Sequence, residues 1–185
     1  MIFKKIPVFV WFLLPTLLIL GFGILFFSNN VTKVNKEDST KPLPVSKSVE
    51  NVEEYEIISR EHITQGLKGS GYNSNPPTSG MHWASPAKSG IFENPLQDEQ
   101  VIHNLEHGYI WITYKTNTNQ EIQNQLREII KQDDRKIILT PRDANDRQIT
   151  LAAWGRTLKM DEPNYDAIKD FIKSYRYKGP ENTPE

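Results

Sequence analysis

Cysteine is absent from the chain. That excludes a disulfide scaffold, a thiolate zinc site, a cysteine nucleophile and a lipoprotein anchor. Any metal site has to be built from histidine, carboxylate, methionine or backbone oxygen. An excess of positive charge is lacking too: 22 Lys and Arg stand against 23 Asp and Glu. A nucleic-acid binder resting on bulk positive charge is therefore excluded. Histidine is scarce, with four in 185 residues, so the placement of each one carries weight. No organic cofactor is evident.

What is present begins with an apolar run without a charge over residues 6–27, preceded by Lys4 and Lys5. It is long enough to cross roughly 30 Å of hydrocarbon. It is also long for a signal-peptide core, and no small-x-small cleavage site follows Phe27. Pro15 and Gly21 are tolerable in a membrane helix. The positive residues lie before the run, which puts residues 1–5 in the cytoplasm and the rest outside. The expectation is a single-pass signal anchor at the cell membrane carrying an extracytoplasmic domain; a cleaved signal peptide is the alternative. Residues 28–51 are polar, contain Lys41-Pro42-Leu43-Pro44 and have no helical or strand period. They read as a flexible linker with an end-to-end distance of about 25 Å. The domain is expected over residues 52–181, with a tail at 182–185.

Residues 53–66 fit either a short strand or a helix. Residues 66–90 are rich in Gly, Ser, Pro and Asn, yet hold Tyr72, Met81, His82 and Trp83. Pro76-Pro77 restrict that loop, and Gly80 permits a positive φ just before Met81-His82. Residues 95–108 predict a short helical turn, with Asp98 and Glu99 at its start and Gly108 at its end. Residues 109–114 are apolar on both alternating faces, as a central strand requires. Thr118 and Glu121 read as a capping box opening a helix with Ile122, Leu126, Ile129 and Ile130 on one face. Strands are expected over 136–140 and 148–154, and a last helix with Pro163 at its first position and Tyr165, Ile168, Phe171, Ile172 and Tyr175 along it. The order β-α-β-β-α predicts the α+β class, a small mixed sheet with two helices against it. Thioredoxin-like folds end in that order and ferredoxin-like folds contain it, but the redox cysteines are missing. Trp111 and Trp154 read as core, and Arg142, Asp143, Asp146 and Arg147 as a solvated turn.

The chemistry concentrates at His103-x-x-Glu106-His107. On a helical turn the two histidines share a face and can share one metal ion. Glu106 beside them is a ligand, an outer partner or a base. The pattern is also that of inverted zincin proteases, but such a peptidase needs a long helix and a distant carboxylate ligand, and here a strand follows at once. The stiffened loop can deliver His82 to the pair, and His62 precedes it. Met81 or Met160 can add a soft ligand and favour Cu⁺.

Glu61-His62-Ile63, Tyr72-Asn-Ser-Asn-Pro-Pro-Thr-Ser-Gly-Met-His82, Val101-Ile-His-Asn-Leu-Glu-His-Gly108, Ala153-Trp154-Gly155 and Tyr175-Arg176 with Gly179-Pro180-Glu181 together resemble the DUF3105 family. The resemblance covers roughly residues 52–181, and all four histidines fall inside its blocks. Met81 stands where that family's pattern usually has proline. Members commonly carry an N-terminal membrane segment. The resemblance implies a domain and a set of residues, not an activity.

Three functions remain open from the sequence. The leading one is a single copper or zinc ion held by His82, His103 and His107 with His62, Glu106 or Met81 completing the set, for metal capture or delivery. The second is a metal-dependent hydrolase with Glu106 as general base. The third is a metal-free module in which Tyr72, Trp83 and Phe92 line a groove for a peptide, glycan or membrane partner, an unknown protein or other cell-envelope component, and the histidines are struts.

Overall fold

The computed structural model of the chain describes residues 49–181. The expected cytoplasmic segment 1–5, membrane span 6–27, most of the linker and the tail 182–185 lie outside the described residues. Among the described residues no helix is long and apolar enough to cross a membrane. Val49, at the end of the expected linker, packs against the domain core.

The strand Ile110–Tyr114, labelled β5, is buried at all five positions. Its alternation explains why it sits centrally. Ile110, Ile112 and Tyr114 face one hydrophobic cluster, and Trp111 faces another on the opposite side. Ahead of it come β1 (Val52–Glu54), β2 (His62–Ile63), β3 (His82–Trp83), β4 (Gly90–Ile91) and the helix α1 (Asp98–Glu106). After it come α2 (Gln120–Gln132), β6 (Ile137–Pro141), β7 (Ile149–Ala153), β8 (Arg156–Met160) and α3 (Tyr165–Tyr175). The main sheet has the order β1-β8-β7-β5-β6-β4, and β2 and β3 form a separate parallel pair. β6 runs parallel to β5, with Ile112 opposite Leu139, so α2 serves as the crossover a parallel neighbour needs. β7 runs antiparallel to β5, with Ile112 opposite Leu151.

α2 and α3 cover one face of the sheet. Leu126 and Ile130 from α2, and Ile168, Phe171 and Ile172 from α3, join Ile137, Leu139, Ile149 and Leu151 there. Each such side chain contributes about 1.5–3 kcal/mol on burial. A helix as short as α2 is marginal in isolation, so this packing rather than propensity holds it. α1 covers the other face through Val101, Ile102 and Leu105 against Trp111, Ile138, Ala152 and Trp154.

The α+β class and the mixed sheet are as expected, but the order from β5 is β-α-β-β-β-α, with three helices in the domain. The unforeseen strand β8 hairpins back from β7 through Trp154 and Gly155, Gly155 taking φ 68°. Charges at Arg156 and Lys159 hide its alternation, since only Thr157 and Leu158 are buried. β1 and β4 are edge strands too short to show a period. Two helix starts differ as well. Asn119, not Thr118, caps α2, its side chain accepting from the Glu121 backbone N–H at 2.8 Å. The Thr118 hydroxyl turns to Gln148 instead. Asn164 caps α3 through the Ala167 N–H, which leaves Pro163 before the cap.

Candidate metal site

α1 aims the site. With Val101, Ile102 and Leu105 turned to the sheet, its helical period brings His103 and Glu106 together one turn apart, on a neighbouring face. Gly108, at φ 78°, ends the helix and turns the chain into β5. Asn104 clamps the approaching loop: its side chain accepts from the Ala87 N–H and donates to the Ala87 carbonyl, both at 2.8 Å.

The proline-rich loop is held from beneath. Arg142 donates to both carboxylate oxygens of Asp98, at 2.9 and 2.7 Å, and to the Asn75 and Asn145 side-chain oxygens. Asn75 in turn donates to the Ala144 carbonyl and to Asp146. Arg142 is thus buried, correcting its reading as part of a solvated turn. At the loop's far end Gly80 has φ 117°, and a Cβ there would lie 2.9 Å from the Tyr72 ring. Tyr72 donates its hydroxyl to the Met81 carbonyl. His82 then enters β3 and pairs in register with His62 of β2, so the two rings come within 4.8 Å of each other, centroid to centroid.

The result is one compact group. His62, His82, His103 and Glu106 each offer a ligand atom, and those atoms all lie within 4.8 Å of one another. His82, His103 and Glu106 are buried, whereas the His62 side chain is 48% exposed. The Glu106 carboxylate is divided: Oε1 accepts from Arg60, and Oε2 stands 3.1 Å from His82 Nε2 and 4.0 Å from His62 Nε2.

The family model described as Protein of unknown function (DUF3105) matches residues 65–185. The chain belongs to the DUF3105 family. No curated protein and no solved structure matches it. His82, His103 and Glu106 of the DUF3105 domain lie within the matched stretch, and His62 lies just before it.

Hydrogen bonds define how the buried rings are protonated. The His82 Nδ1 lies 2.7 Å from the Gly80 carbonyl, which can only accept, so Nδ1 carries a proton. Its Nε2 then meets the carboxylate oxygen of Glu106, and something positive, a proton or a metal ion, is required between them. His103 is pushed down to about 4, first by burial and then by the nearby charges of His107, His82 and His62, against the pull of Glu106. Its Nδ1 is buried and has no hydrogen-bond partner among the described residues. For Glu106, burial works to raise the carboxyl, but the Arg60 hydrogen bond and the charges of His82 and Arg60 hold it below its ordinary value.

Of the residues singled out from sequence, His107 sits beside His103, their Nε2 atoms 2.9 Å apart, and outside the compact group. Met160 packs with the cluster on the α2 and α3 face, so it supplies no ligand here. For Met81 the defining contact is that of its carbonyl with Tyr72. Trp111 and Trp154 are core, as expected. Asn104 and Glu181 fall inside the blocks that carry the family resemblance, but their spacing assigns them no role, and Arg60 lies outside every block. Each is a polar residue whose partners are distant along the chain.

Proposed function

We propose that the DUF3105 domain binds a divalent transition-metal ion, Zn²⁺ or Cu²⁺, through His62, His82, His103 and Glu106. We further propose that it captures or hands on that ion outside the membrane, tethered by residues 6–27. The observation that carries the reading is the convergence of three imidazoles and a carboxylate with their ligand atoms within 4.8 Å of one another. Three neutral imidazoles and a carboxylate suit zinc or copper(II). Orphaned buried polar atoms are rare, and among the described residues the His103 Nδ1 is one of them. Arg60 fixes the carboxylate by one oxygen and leaves the other for the ion, the usual arrangement of an outer partner at a metal centre.

Two features favour transfer over hydrolysis. Three ligands are buried and one, His62, is exposed on a two-residue strand, so a single side chain can release the ion to solvent or a partner. Glu106 is held ionised by Arg60, whereas a general base works best with a pKa near the operating pH.

One observation favours a metal-free reading. Both ring nitrogens of His82 already have protein partners, which equally suits a hydrogen-bonded strut between the loop and α1. The two are separated by measuring zinc and copper per chain in the full-length protein, purified in detergent without a histidine tag. About one equivalent, lost in His103→Ala, supports the metal site. No bound metal under either loading defeats it and leaves the strut, together with a peptide or glycan partner for the loop.

A further inference from the structure

The backbone after α3 returns to the metal site and is pinned across the end of α1. The Tyr177 N–H donates to the Gly108 carbonyl at 2.8 Å, and the Glu181 N–H to the Glu106 carbonyl at 3.1 Å. The crossing is so close that a Cβ on Gly179 would fall 2.1 Å from the Glu106 carbonyl oxygen and 2.3 Å from the Gly108 nitrogen. On Gly108 it would meet the Tyr177 Cα at 2.8 Å. Two glycines meeting at one point let the C-terminal segment lie directly on the turn that carries His107.

Glu181 then touches the site three ways. Its N–H holds the Glu106 backbone, its carboxylate takes the Arg60 guanidinium that also holds the Glu106 side chain, and its carbonyl lies 3.1 Å from His107 Nδ1. The last contact has a consequence for proton placement. A carbonyl only accepts, so His107 Nδ1 carries the proton and the neutral ring keeps its lone pair on Nε2. His103 Nε2, 2.9 Å away, must then be the donor between the two rings. That leaves the lone pair of His103 on Nδ1, the buried atom without a partner among the described residues.

We propose that His107 and the Glu181 carbonyl form a relay that sets the tautomer of His103 for metal binding, so that the C-terminal segment controls how tightly the site holds its ion. This rests on the metal-binding reading above. His107 is a positioning residue in this scheme: it acts through His103 and does not touch the ion. Metal ligands whose outer hydrogen-bond partner is removed typically lose roughly 10–100-fold in affinity.

The test uses the full-length protein in detergent with Cu²⁺ as the probe. Affinity is read by chelator competition and the coordination sphere by electron paramagnetic resonance. His107→Ala is expected to weaken Cu²⁺ binding by roughly 10–100-fold and to change the copper spectrum. His107→Gln retains a side-chain oxygen to accept from His103 and is expected to restore both. A chain ending at Lys178 lacks the Glu181 carbonyl and is expected to behave as His107→Ala, which covers the case in which that variant fails to fold. Wild-type affinity and spectrum in both His107→Ala and the shortened chain would overturn the relay. So would complete loss of copper in His107→Gln, which would make His107 a ligand. A wild-type protein that binds no Cu²⁺ would overturn the metal site and the relay together.

Discussion

Arg142 and Asp98 form a two-bonded ion pair, at 2.9 and 2.7 Å, between the end of β6 and the first turn of α1. The same guanidinium reaches Asn75 in the proline-rich loop. One side chain thereby joins the sheet, the helix that carries His103 and Glu106, and the loop that delivers His82. Arg142→Ala removes the donor to both Asp98 carboxylate oxygens and to the Asn75 side-chain oxygen in a mostly buried setting. We expect a loss of about 2–4 kcal/mol in urea unfolding. Arg142→Lys, which cannot reproduce the fork, should recover only part of it.

Asn104 offers a second stability test, independent of charge. Its amide satisfies both backbone groups of Ala87 in a buried position. Asn104→Ala strands a buried N–H and a buried C=O, for an expected cost of about 2–4 kcal/mol. Asn104→Asp keeps one acceptor but loses the donor, and should be no better. Chemical denaturation of the two variants beside the wild type decides this.

Arg60 should matter for the ion more than for the fold. It is largely exposed, yet it holds Glu106 Oε1 and is shared with Glu181. In Arg60→Ala, burial of Glu106 is less well opposed and its carboxyl rises. Zinc or copper affinity should fall by roughly tenfold, the lower end for loss of an outer partner. The thermal midpoint of the metal-free protein should move little. Competition with a chromophoric chelator reads the first, calorimetry the second.

Two glycine substitutions should separate sharply. In Gly179→Ala the new methyl meets backbone atoms of Glu106 and Gly108, which cannot yield, and we expect several kcal/mol of destabilisation or a detached C-terminal segment. Gly155 has a positive φ, but its nearest neighbour is the flexible end of Ile57. Gly155→Ala should cost only about 1–2 kcal/mol, the backbone penalty. Equal effects in thermal unfolding would contradict this account of the crossing.

Acid should expose the contribution of Asp133. Hydrogen bonds from Arg135 and then Arg176 hold its carboxyl well below the usual range. A carboxyl depressed in the folded state binds fewer protons there than in the unfolded chain, so stability rises with pH between the two values. The benefit is complete above about pH 4, the ordinary range for Asp, and fades below it. Asp133→Asn should therefore be less stable than wild type at pH 7, by at most about 1 kcal/mol for a partly exposed group screened by solvent. The gap should narrow steadily as the pH falls below 4, measured by urea unfolding at each pH.

The local signals that survived into the fold were those a short window can hold. The run of residues 109–114 is apolar on both faces and became the central strand. The stripe of Leu126 and Ile130 became a buried helix face. The i and i+3 spacing of His103 and Glu106 put two of the four site residues on one helix, and the stiff loop did bring His82 to them. Charged residues mask the alternation of strand β8, and the two-residue strand of His62 has no period to show.

By itself the sequence determined the chemistry available: no thiolate, four imidazoles, and a helix–strand junction able to present His103 and His107 on one face with Glu106 beside them. Only the tertiary structure decided how those groups are divided. It put Glu106 in the cluster and left His107 outside it, and it recruited His62, Arg60 and Glu181 from positions far apart along the chain. The physical reason is that ligand distances and proton positions are settled by hydrogen bonds between remote segments. Such bonds depend on strand register, on a glycine crossing and on which carbonyl faces which ring, none of which leaves a trace in residue spacing.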